Sequence, residues 1–211
     1  MNPLIYLAAF VGAGLMSTLL VWASIKIAHR TGLVDGPDGE RKQQDRPIPK
    51  IGGIAVAVTF TVVFMVAVGV SGDTSEFGLL ASVLLPALAV AALGFVDDVR
   101  NLNPWIRLAG QTVLAVIVWV SGTQVNFTSI MVIDLAITVL WIVGLTNAMN
   151  LLDNSDGLAA STTLVAALGT GAIAALYGQY FVGGLAFALA GIALGFLMYN
   201  WAPARVYLGD A

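Results

Sequence analysis

Seven long apolar stretches constrain this sequence more than any other feature. A membrane-spanning helix needs about 20 mostly apolar residues to cross about 30 Å of hydrocarbon. The stretches run over Pro3–Ala28, Ile51–Val70, Gly78–Val96, Pro104–Ser121, Met131–Met149, Gly157–Tyr177 and Phe181–Asn200. They predict an all-α, polytopic membrane protein with about seven transmembrane helices. Residues 1–211 are expected to form a single integral membrane domain, because the stretches leave no room for a soluble one.

Composition excludes several other classes of protein. Hydrophobic residues make up 59% of the chain, which has nine Lys and Arg, twelve Asp and Glu, and no Cys. A soluble domain normally carries about 25% charged residues, so the lipid bilayer is the expected surrounding. The missing cysteines exclude disulfides, thiolate metal sites and a Cys nucleophile. A net charge of −3 argues against a nucleic-acid partner.

The basic residues predict the orientation of the chain in the membrane. If the helices alternate, all nine Lys and Arg lie on one side, and the loops at about 71–77, 122–130 and 178–180 have none. Positive residues are enriched in cytoplasmic loops. The N-terminus is therefore expected outside the cell, and the basic side is expected to be cytoplasmic.

Three features inside the spans have local interpretations. Pro86 is expected to kink the third span. Gly191 and Gly195 form a GxxxG pattern, which is either a tight helix contact or ordinary packing in a glycine-rich chain. Asp134 lies near the outer end of the fifth span and is either an interfacial carboxylate that reaches water or an intramembrane ion site.

Acidic and amide residues gather at three helix ends on the basic side. Asp97 and Asp98 end the third span, and Asp210 follows Gly209 near the end of the chain. The middle group is Asn147, Asn150, Asp153 and Asp156, which are spaced three apart. If the fifth helix continues, this spacing keeps neighbouring members near one face.

Together these residues favour phosphoryl transfer at the membrane surface. Carboxylate oxygens without Cys suit Mg²⁺, or Mn²⁺ as the alternative, better than zinc. Carboxylates that hold such an ion and Lys or Arg that neutralise developing charge are the usual inventory for phosphoryl transfer. A lipid phosphate would present its headgroup at this depth, with its tail between the helices.

Four motifs resemble the polyprenyl-phosphate N-acetylhexosamine-1-phosphate transferase family. They are Gly39–Lys42 with Arg46–Gly53, Gly94–Asp98 with Arg107 and Gln111, Thr146–Gly157, and Asn200–Asp210. The resemblance covers nearly the whole chain and implies a UDP-N-acetylhexosamine donor, a polyprenyl phosphate acceptor and Mg²⁺. The products would be polyprenyl-diphosphate-sugar and UMP. The loop over residues 40–50 looks more like the GlcNAc branch than the phospho-MurNAc-pentapeptide branch, and a homodimer is a candidate assembly.

The resemblance also implies roles for individual residues. Asp210 matches a Mg²⁺ ligand, and Asp97 matches the residue that accepts a proton from the lipid phosphate or positions it. Asp98, beside it, would help position the metal or a basic side chain. The catalytic residues implied are Asp97, Asp98 and Asp153, and the substrate-binding residues are Asn150, Asp156, Asn200, Tyr207, Lys50 and Arg107. Asp156 is expected to face the uracil and Tyr207 to stack on it, and the two amides to line the diphosphate and nucleoside site.

Two departures from the family pattern leave alternatives open. Asn154 and Ser155 replace a glycine and an aliphatic residue where the uracil should bind. The chain also stops at Ala211, within the last motif, so it is expected to be the N-terminal part of a longer transferase, and the activity of these 211 residues by themselves is left open. An inactive fragment or membrane scaffold is therefore one alternative, and a secondary transporter is another.

A CDP-alcohol phosphotransferase is a further alternative, because Asp153, Asp156 and Gly157 match the start of its motif. It is disfavoured because Ser161 stands where that motif has an Arg, and its next two acids are absent.

Overall fold

A computed structural model describes residues 3–36, 47–71, 78 and 80–210 of the chain. Within these residues seven α-helices form, which confirms the predicted all-α membrane fold. Their bounds are α1 Pro3–Thr31, α2 Gly52–Ser71, α3 Leu85–Arg100, α4 Pro104–Val120, α5 Met131–Leu152, α6 Leu158–Leu176 and α7 Tyr180–Asn200. Two short strands, β1 Val34–Asp35 and β2 Ile48–Pro49, pair in antiparallel fashion beside α1 and α2.

The lengths of the helices fit a multi-pass membrane protein. Six helical spans in the described part of the chain are long and apolar enough to cross a bilayer. The remaining helix, α4, has 17 residues. At about 1.5 Å per residue it extends about 25 Å, which is the short end of the range for a spanning helix.

The third span differs in detail from the expected kinked helix. A π-helical turn over Leu80–Leu84 leads into α3, and Pro86 stands in the first turn of α3. Proline has no N–H to donate, and its ring crowds the carbonyl four residues earlier. The wider turn before Pro86 accommodates both effects, so the irregularity lies at the start of α3 rather than in its middle.

Helices α1 and α7 pack closely against each other, and glycines permit the approach. A Cβ on Gly195 would lie 2.5 Å from the carbonyl oxygen of Gly14, and a Cβ on Gly191 would overlap the Phe10 carbonyl. Ser17, fully buried, donates through Oγ to the Ile192 carbonyl at 2.9 Å. The GxxxG pattern is therefore a tight helix contact, and it places the end of α7 beside α1 and α2.

The segment after α7 turns back and adds to the β1–β2 region. Tyr207 N donates to the Pro49 carbonyl at 2.8 Å, and Gly53 N donates to the Leu208 carbonyl at 2.7 Å. The Gly52 N–H donates to the Tyr207 carbonyl at 3.1 Å. A Cβ on Gly52 would lie 2.6 Å from that carbonyl oxygen and from the Phe196 ring. These bonds carry residues 208–210 to the ends of α3 and α5.

Asp134, at the other end of the bundle, fits neither of the two sequence interpretations. Its Oδ1 accepts hydrogen bonds from the N–H of Thr128 at 2.8 Å, the Thr128 hydroxyl at 2.9 Å and the N–H of Phe127 at 3.2 Å. The side chain is buried, and it closes the loop that precedes α5. Its carboxylate is therefore satisfied locally, as a cap.

The alternating topology predicts that the 121–130 loop and the turn after α5 lie on opposite sides of the membrane. The chain has no cysteine, so single cysteines at exposed Gln124 and exposed Asn154 report one site each. In sealed vesicles a membrane-impermeant maleimide is expected to label one of these cysteines from outside, and the other only after permeabilisation. Labelling of both from the same side would contradict the seven-helix alternation.

Candidate active site

Asp210 is the carboxylate on which the other polar groups converge. Its N–H donates to Asp98 Oδ2 at 2.8 Å, which ties the chain segment to the end of α3. Its Oδ1 accepts from Asn150 Nδ2 at 2.7 Å, and its Oδ2 lies 3.3 Å from Arg107 Nη1. Burial raises the pKa of Asp210, and the neighbouring Asp97 carboxylate raises it further. Side chains from α3, α4 and α5 thus all meet at this residue.

Gly209 makes this approach possible. Its φ is +80°, a conformation that side chains rarely adopt. A Cβ at this position would lie 2.7 Å from Asp98 Oδ2 and would overlap the Lys50 carbonyl. The Gly-Asp pair is therefore a backbone requirement for placing Asp210 between α3 and α5.

Asp97 and Arg107 face each other across the turn between α3 and α4. Arg107 Nη1 donates to Asp97 Oδ2 at 2.8 Å, and Leu102 N donates to Asp97 Oδ1 at 2.7 Å. The turn is fixed locally, because Asn101 adopts a left-handed conformation and Asn103 Oδ1 accepts from Trp105 N. Asp97 is 7% exposed, so the ion pair with Arg107 is shielded on its acidic side.

Asp153 ends α5 next to the same segment. The backbone N–H groups of Gly209 and Leu208 hydrogen-bond to this carboxylate, yet its Oδ1 is buried and has no hydrogen-bond partner. Burial raises the pKa of Asp153 to about 7, and the charges of Asp210 and Asp98 add to the rise. A carboxylate in this position is held without the counter-charge that it needs when ionised.

Asn200 and Asp156 join the turn after α5 to the segment after α7. Asn200 Oδ1 accepts from Gly157 N at 3.0 Å, and its Nδ2 donates to the Val206 carbonyl at 2.9 Å. Asp156 Oδ2 accepts from Ala204 N at 2.9 Å. Asn200 is 1% exposed. Asn200 thus uses both polar atoms within the protein and supports the segment after α7, and its expected contact with substrate stays a prediction.

Lys50 and Tyr207 border the site on the β1–β2 side. Lys50 Nζ pairs with Asp35 Oδ1 at 2.9 Å, and Lys50 remains 39% exposed. Tyr207 is half-buried. Burial raises the pKa of its hydroxyl, and the charges of Asp156, Asp35 and Asp153 raise it further. The Tyr207 hydroxyl therefore lies within electrostatic reach of these acidic side chains, and its backbone pairs with Pro49 and Gly52 on either side of Lys50.

The structure adds two residues that the sequence analysis gave no role. Gln111 is 5% exposed and accepts from Asn147 Nδ2 at 2.6 Å, one turn along α4 from Arg107. Asp35 is the ion-pair partner of Lys50. A glutamine within an apolar helix was a usable signal for Gln111. Nothing in the sequence pattern distinguishes Asp35, because its pairing depends on the short β ladder.

Part of the predicted site lies outside the described residues. These are Gly39, Glu40, Arg41, Lys42 and Arg46 of the basic loop. The remaining predicted residues divide into two groups. Asp97, Asp98, Asn150, Asp153, Arg107 and Asp210 come together, whereas Asp156, Asn200, Lys50 and Tyr207 lie around them.

An apolar groove leads away from this cluster between α4 and α5. It has a volume of about 670 Å³ and is lined by aliphatic side chains, among them Leu108, Val116, Leu135 and Val139. Asn147 lines its end nearest the carboxylates. A ligand with an apolar chain and an anionic head would match this combination of surfaces.

The donors at the site fit a hard divalent cation in kind. Carboxylate oxygens are the preferred ligands of Mg²⁺, and the unpartnered Asp153 Oδ1 is a buried oxygen that lacks a positive partner. Among the described residues, no three acidic or imidazole side chains are arranged to ligate one ion as they stand. The ion pairs of Arg107 with Asp97 and Asp210 account for part of this arrangement.

Comparisons with known proteins give one consistent family. The family model described as Glycosyl transferase family 4 matches residues 80–211. A Bacillus subtilis (strain 168) protein named "probable undecaprenyl-phosphate N-acetylglucosaminyl 1-phosphate transferase" is 32% identical over 96% of this chain and 57% of its own length. A phospho-N-acetylmuramoyl-pentapeptide-transferase of Shouchella clausii (strain KSM-K16) is 31% identical over 98% of this chain and 69% of its own length.

A further relative has the same name as the Shouchella protein. The phospho-N-acetylmuramoyl-pentapeptide-transferase of Desulforudis audaxviator (strain MP104C) is 37% identical over 83% of this chain and 61% of its own length. The chain thus spans between about half and two thirds of the length of the curated relatives that it matches.

The unpaired carboxylate predicts a pH-dependent stability in the absence of metal. Between the ordinary pKa of 3.8 and the raised value of about 7, the folded protein holds a proton on Asp153 that the unfolded chain has released. The free energy of unfolding therefore falls as the pH rises through this interval. Asp153→Asn removes this loss, so in EDTA its gain in melting temperature over the parent is expected to be larger at pH 8 than at pH 5. An equal gain at both values would contradict the assignment.

The buried amide predicts a loss of stability in a second variant. Asn200→Ala leaves the Gly157 N–H and the Val206 carbonyl without partners, and each such loss costs about 1–3 kcal/mol. Thermal unfolding in detergent is expected to show a clearly lower melting temperature for this variant. Asn154→Ala is the matched control, because the exposed Asn154 amide bonds only within its own turn, to the Leu151 carbonyl. Equal melting temperatures for the two variants would refute the supporting role of Asn200.

Proposed function

The chain belongs to glycosyl transferase family 4, and we propose that it transfers an N-acetylhexosamine-1-phosphate from a UDP-sugar to polyprenyl phosphate. In this reaction a phosphate oxygen of the lipid attacks the phosphorus that carries the sugar. The bond from that phosphorus to the bridging oxygen breaks, and UMP leaves. The products are UMP and polyprenyl-diphosphate-sugar, the lipid carrier used in cell-envelope polysaccharide synthesis.

One observation carries this proposal above the others. Four carboxylates and Arg107 meet at one end of a membrane helix bundle, where an apolar groove between α4 and α5 begins. An anionic lipid would place its phosphate near Arg107 and its chain along the groove. The names of the relatives support this proposal. The name of the Bacillus subtilis relative includes undecaprenyl phosphate, and the Shouchella relative is named as a phospho-N-acetylmuramoyl-pentapeptide-transferase.

The residues nearest Arg107 are proposed to act on the lipid phosphate. Asp97 positions this phosphate or accepts its proton, since it is the carboxylate that already shares Arg107. Arg107 neutralises charge on the phosphate oxygens as they react. Asp98 acts through the backbone of Asp210, because its carboxylate accepts a hydrogen bond from the Asp210 N–H. Asn150, which donates to Asp210, keeps that carboxylate aligned.

Asp210 and Asp153 are the proposed ligands for Mg²⁺, with Mn²⁺ as a substitute. The Asp153 oxygen without a partner and the Asp210 carboxylate at the centre of the cluster are the donors best suited to a cation. When bound, Mg²⁺ would supply Lewis-acid polarisation of the diphosphate. The protein itself orients the two phosphates and excludes water from the buried side of the cluster.

The nucleotide is proposed to bind on the side of Tyr207, Asp156 and Lys50. Tyr207 offers an aromatic face for the uracil, and base–aromatic stacking is worth about 1–3 kcal/mol in other systems. Asp156 is exposed although one of its oxygens is bonded to Ala204 N. UDP-GlcNAc is the proposed donor over UDP-MurNAc-pentapeptide, and the basic loop that supports this choice lies outside the described residues.

The proposed setting is the plasma membrane, with the active site on the cytoplasmic side. All described site residues lie at the end of the bundle where Lys50, Arg100, Arg107 and Arg205 also lie, and the positive-inside rule assigns such an end to the cytoplasm. The cysteine pair at Gln124 and Asn154 tests this orientation when the labelling is done on intact cells.

The proposal predicts the effect of two charge-removing substitutions on the transfer. With UDP-GlcNAc, polyprenyl phosphate and Mg²⁺, Asp97→Asn and Asp210→Asn are each expected to lower UMP release by about 100-fold or more, because positioned acid–base and charge-stabilising groups contribute about this much. The measurement is UMP released per folded molecule by the complete protein, with any residues that follow position 211, in nanodiscs.

Asp134→Asn makes the same substitution at the opposite end of the bundle. It is expected to retain the rate per folded molecule, because Asp134 only closes the loop before α5. Absence of UMP release with every UDP-N-acetylhexosamine would overturn the proposal and favour the scaffold alternative. Release that is unchanged in both active-site variants would separate the activity from this cluster.

A further inference from the structure

One nitrogen of Arg107 forms ion pairs with two carboxylates that come from distant parts of the chain. Nη1 lies 2.8 Å from Asp97 Oδ2 and 3.3 Å from Asp210 Oδ2. The side chains of Arg107 and Asp210 are 27% and 33% exposed, whereas that of Asp97 is 9% exposed. The contact with Asp210 is therefore the longer and more solvent-exposed of the two, so breaking it costs less free energy.

Asp97 and Asp210 need a positive group between them. The two carboxylates contact the same guanidinium nitrogen and are therefore neighbours, and neighbouring carboxylates repel when both are ionised. Arg107 supplies the compensating charge in this structure. Its position is set by α4, which begins directly after the capped turn at Asn103.

A divalent cation on Asp210 would require the charge of Arg107 to leave that carboxylate. Like charges a few ångströms apart repel strongly at a partly buried site. Asp210 keeps Asn150 and its backbone bond to Asp98 when Arg107 departs, so the carboxylate stays in place. Asp97 likewise keeps the Leu102 N–H. The cluster is thus built to survive the loss of the Arg107–Asp210 contact.

We propose that Arg107 is a stand-in cation, which holds Asp97 and Asp210 together until a divalent cation replaces it at Asp210. The released guanidinium then faces the substrate phosphate. Metal binding and phosphate binding become coupled, because an anion that attracts Arg107 also frees Asp210, and such coupling is reciprocal. The inference rests on the proposed function only for the identity of the metal and of the anion.

The test measures metal affinity without turnover. The full chain is placed in nanodiscs without donor, and free Mn²⁺ is followed by electron paramagnetic resonance. Arg107→Gln removes the competing charge and is expected to bind Mn²⁺ about tenfold more tightly than the parent, a change of about 1.4 kcal/mol. Arg107→Lys keeps the charge without the fork and is expected to fall between the two.

Arg205→Gln is the matched control, because it removes the same charge from an exposed position on the same end of the bundle. It is expected to bind Mn²⁺ as the parent does. Farnesyl phosphate is then added as the anion probe. It is expected to tighten Mn²⁺ binding more in the parent than in Arg107→Gln, since the direct contact of metal with phosphate is present in both and only the parent also frees a carboxylate.

The outcomes separate this inference from the proposed transfer. Unchanged or weaker Mn²⁺ binding in Arg107→Gln would overturn it, and so would equal tightening by farnesyl phosphate in both proteins or an absence of Mn²⁺ binding in all variants. A parent protein that transfers the sugar while Arg107→Gln binds Mn²⁺ no better would leave the function intact and remove the stand-in role. The expected Mn²⁺ pattern without any UMP release would support the stand-in role of Arg107 and overturn the proposed transfer.

Discussion

Hydrocarbon does not solvate an unpaired charge, and this constraint decides where every described ionisable group of the protein can stand. A charge near the bilayer centre costs at least about 2.5–3.5 kcal/mol even on permissive scales. The apolar helices therefore end where the charges begin. Asp97, Asp153 and Arg107 each lie within about two turns of a helix end. The polar cluster is a direct consequence, because alternating helices bring the ends of α3 and α5 and the start of α4 to one side.

Close packing determines how accurately these helix ends meet. Gly191 and Gly195 let α7 touch α1 backbone to backbone, and Gly52 lets the segment after α7 lie against the start of α2. That segment then carries Asp210 to α3 and α5, where Asp98 and Asn150 hold it. A larger side chain at any of these glycines would move the carboxylate by forcing apart elements that lie far from it in sequence.

The sequence predicted the helices and their common polar end, because hydropathy and alternation are local properties of each stretch. The spacing of Asn147 and Asn150 also predicted that they lie near one face of α5. In the structure they donate hydrogen bonds to Gln111 and Asp210, respectively. The internal hydrogen bonds of Asn200 could not be predicted from the sequence. They depend on the chain turning back after α7 and presenting Val206 and Gly157 to one amide, and backbone pairing of this kind leaves no periodic signal in the sequence. The Lys50–Asp35 ion pair could not be predicted for the same reason.

The state of Asp97 follows from the same cluster and bears on the order of events. Both of its oxygens are engaged, one by Leu102 N and the other by Arg107. A carboxylate with both oxygens bonded to donors is a poor acceptor for a further proton. If Arg107 turns toward a substrate phosphate, Asp97 Oδ2 and Asp210 Oδ2 lose the same donor together. One side-chain movement would then expose the proposed proton acceptor and the proposed metal ligand at once, which links readiness for chemistry to the arrival of the anion.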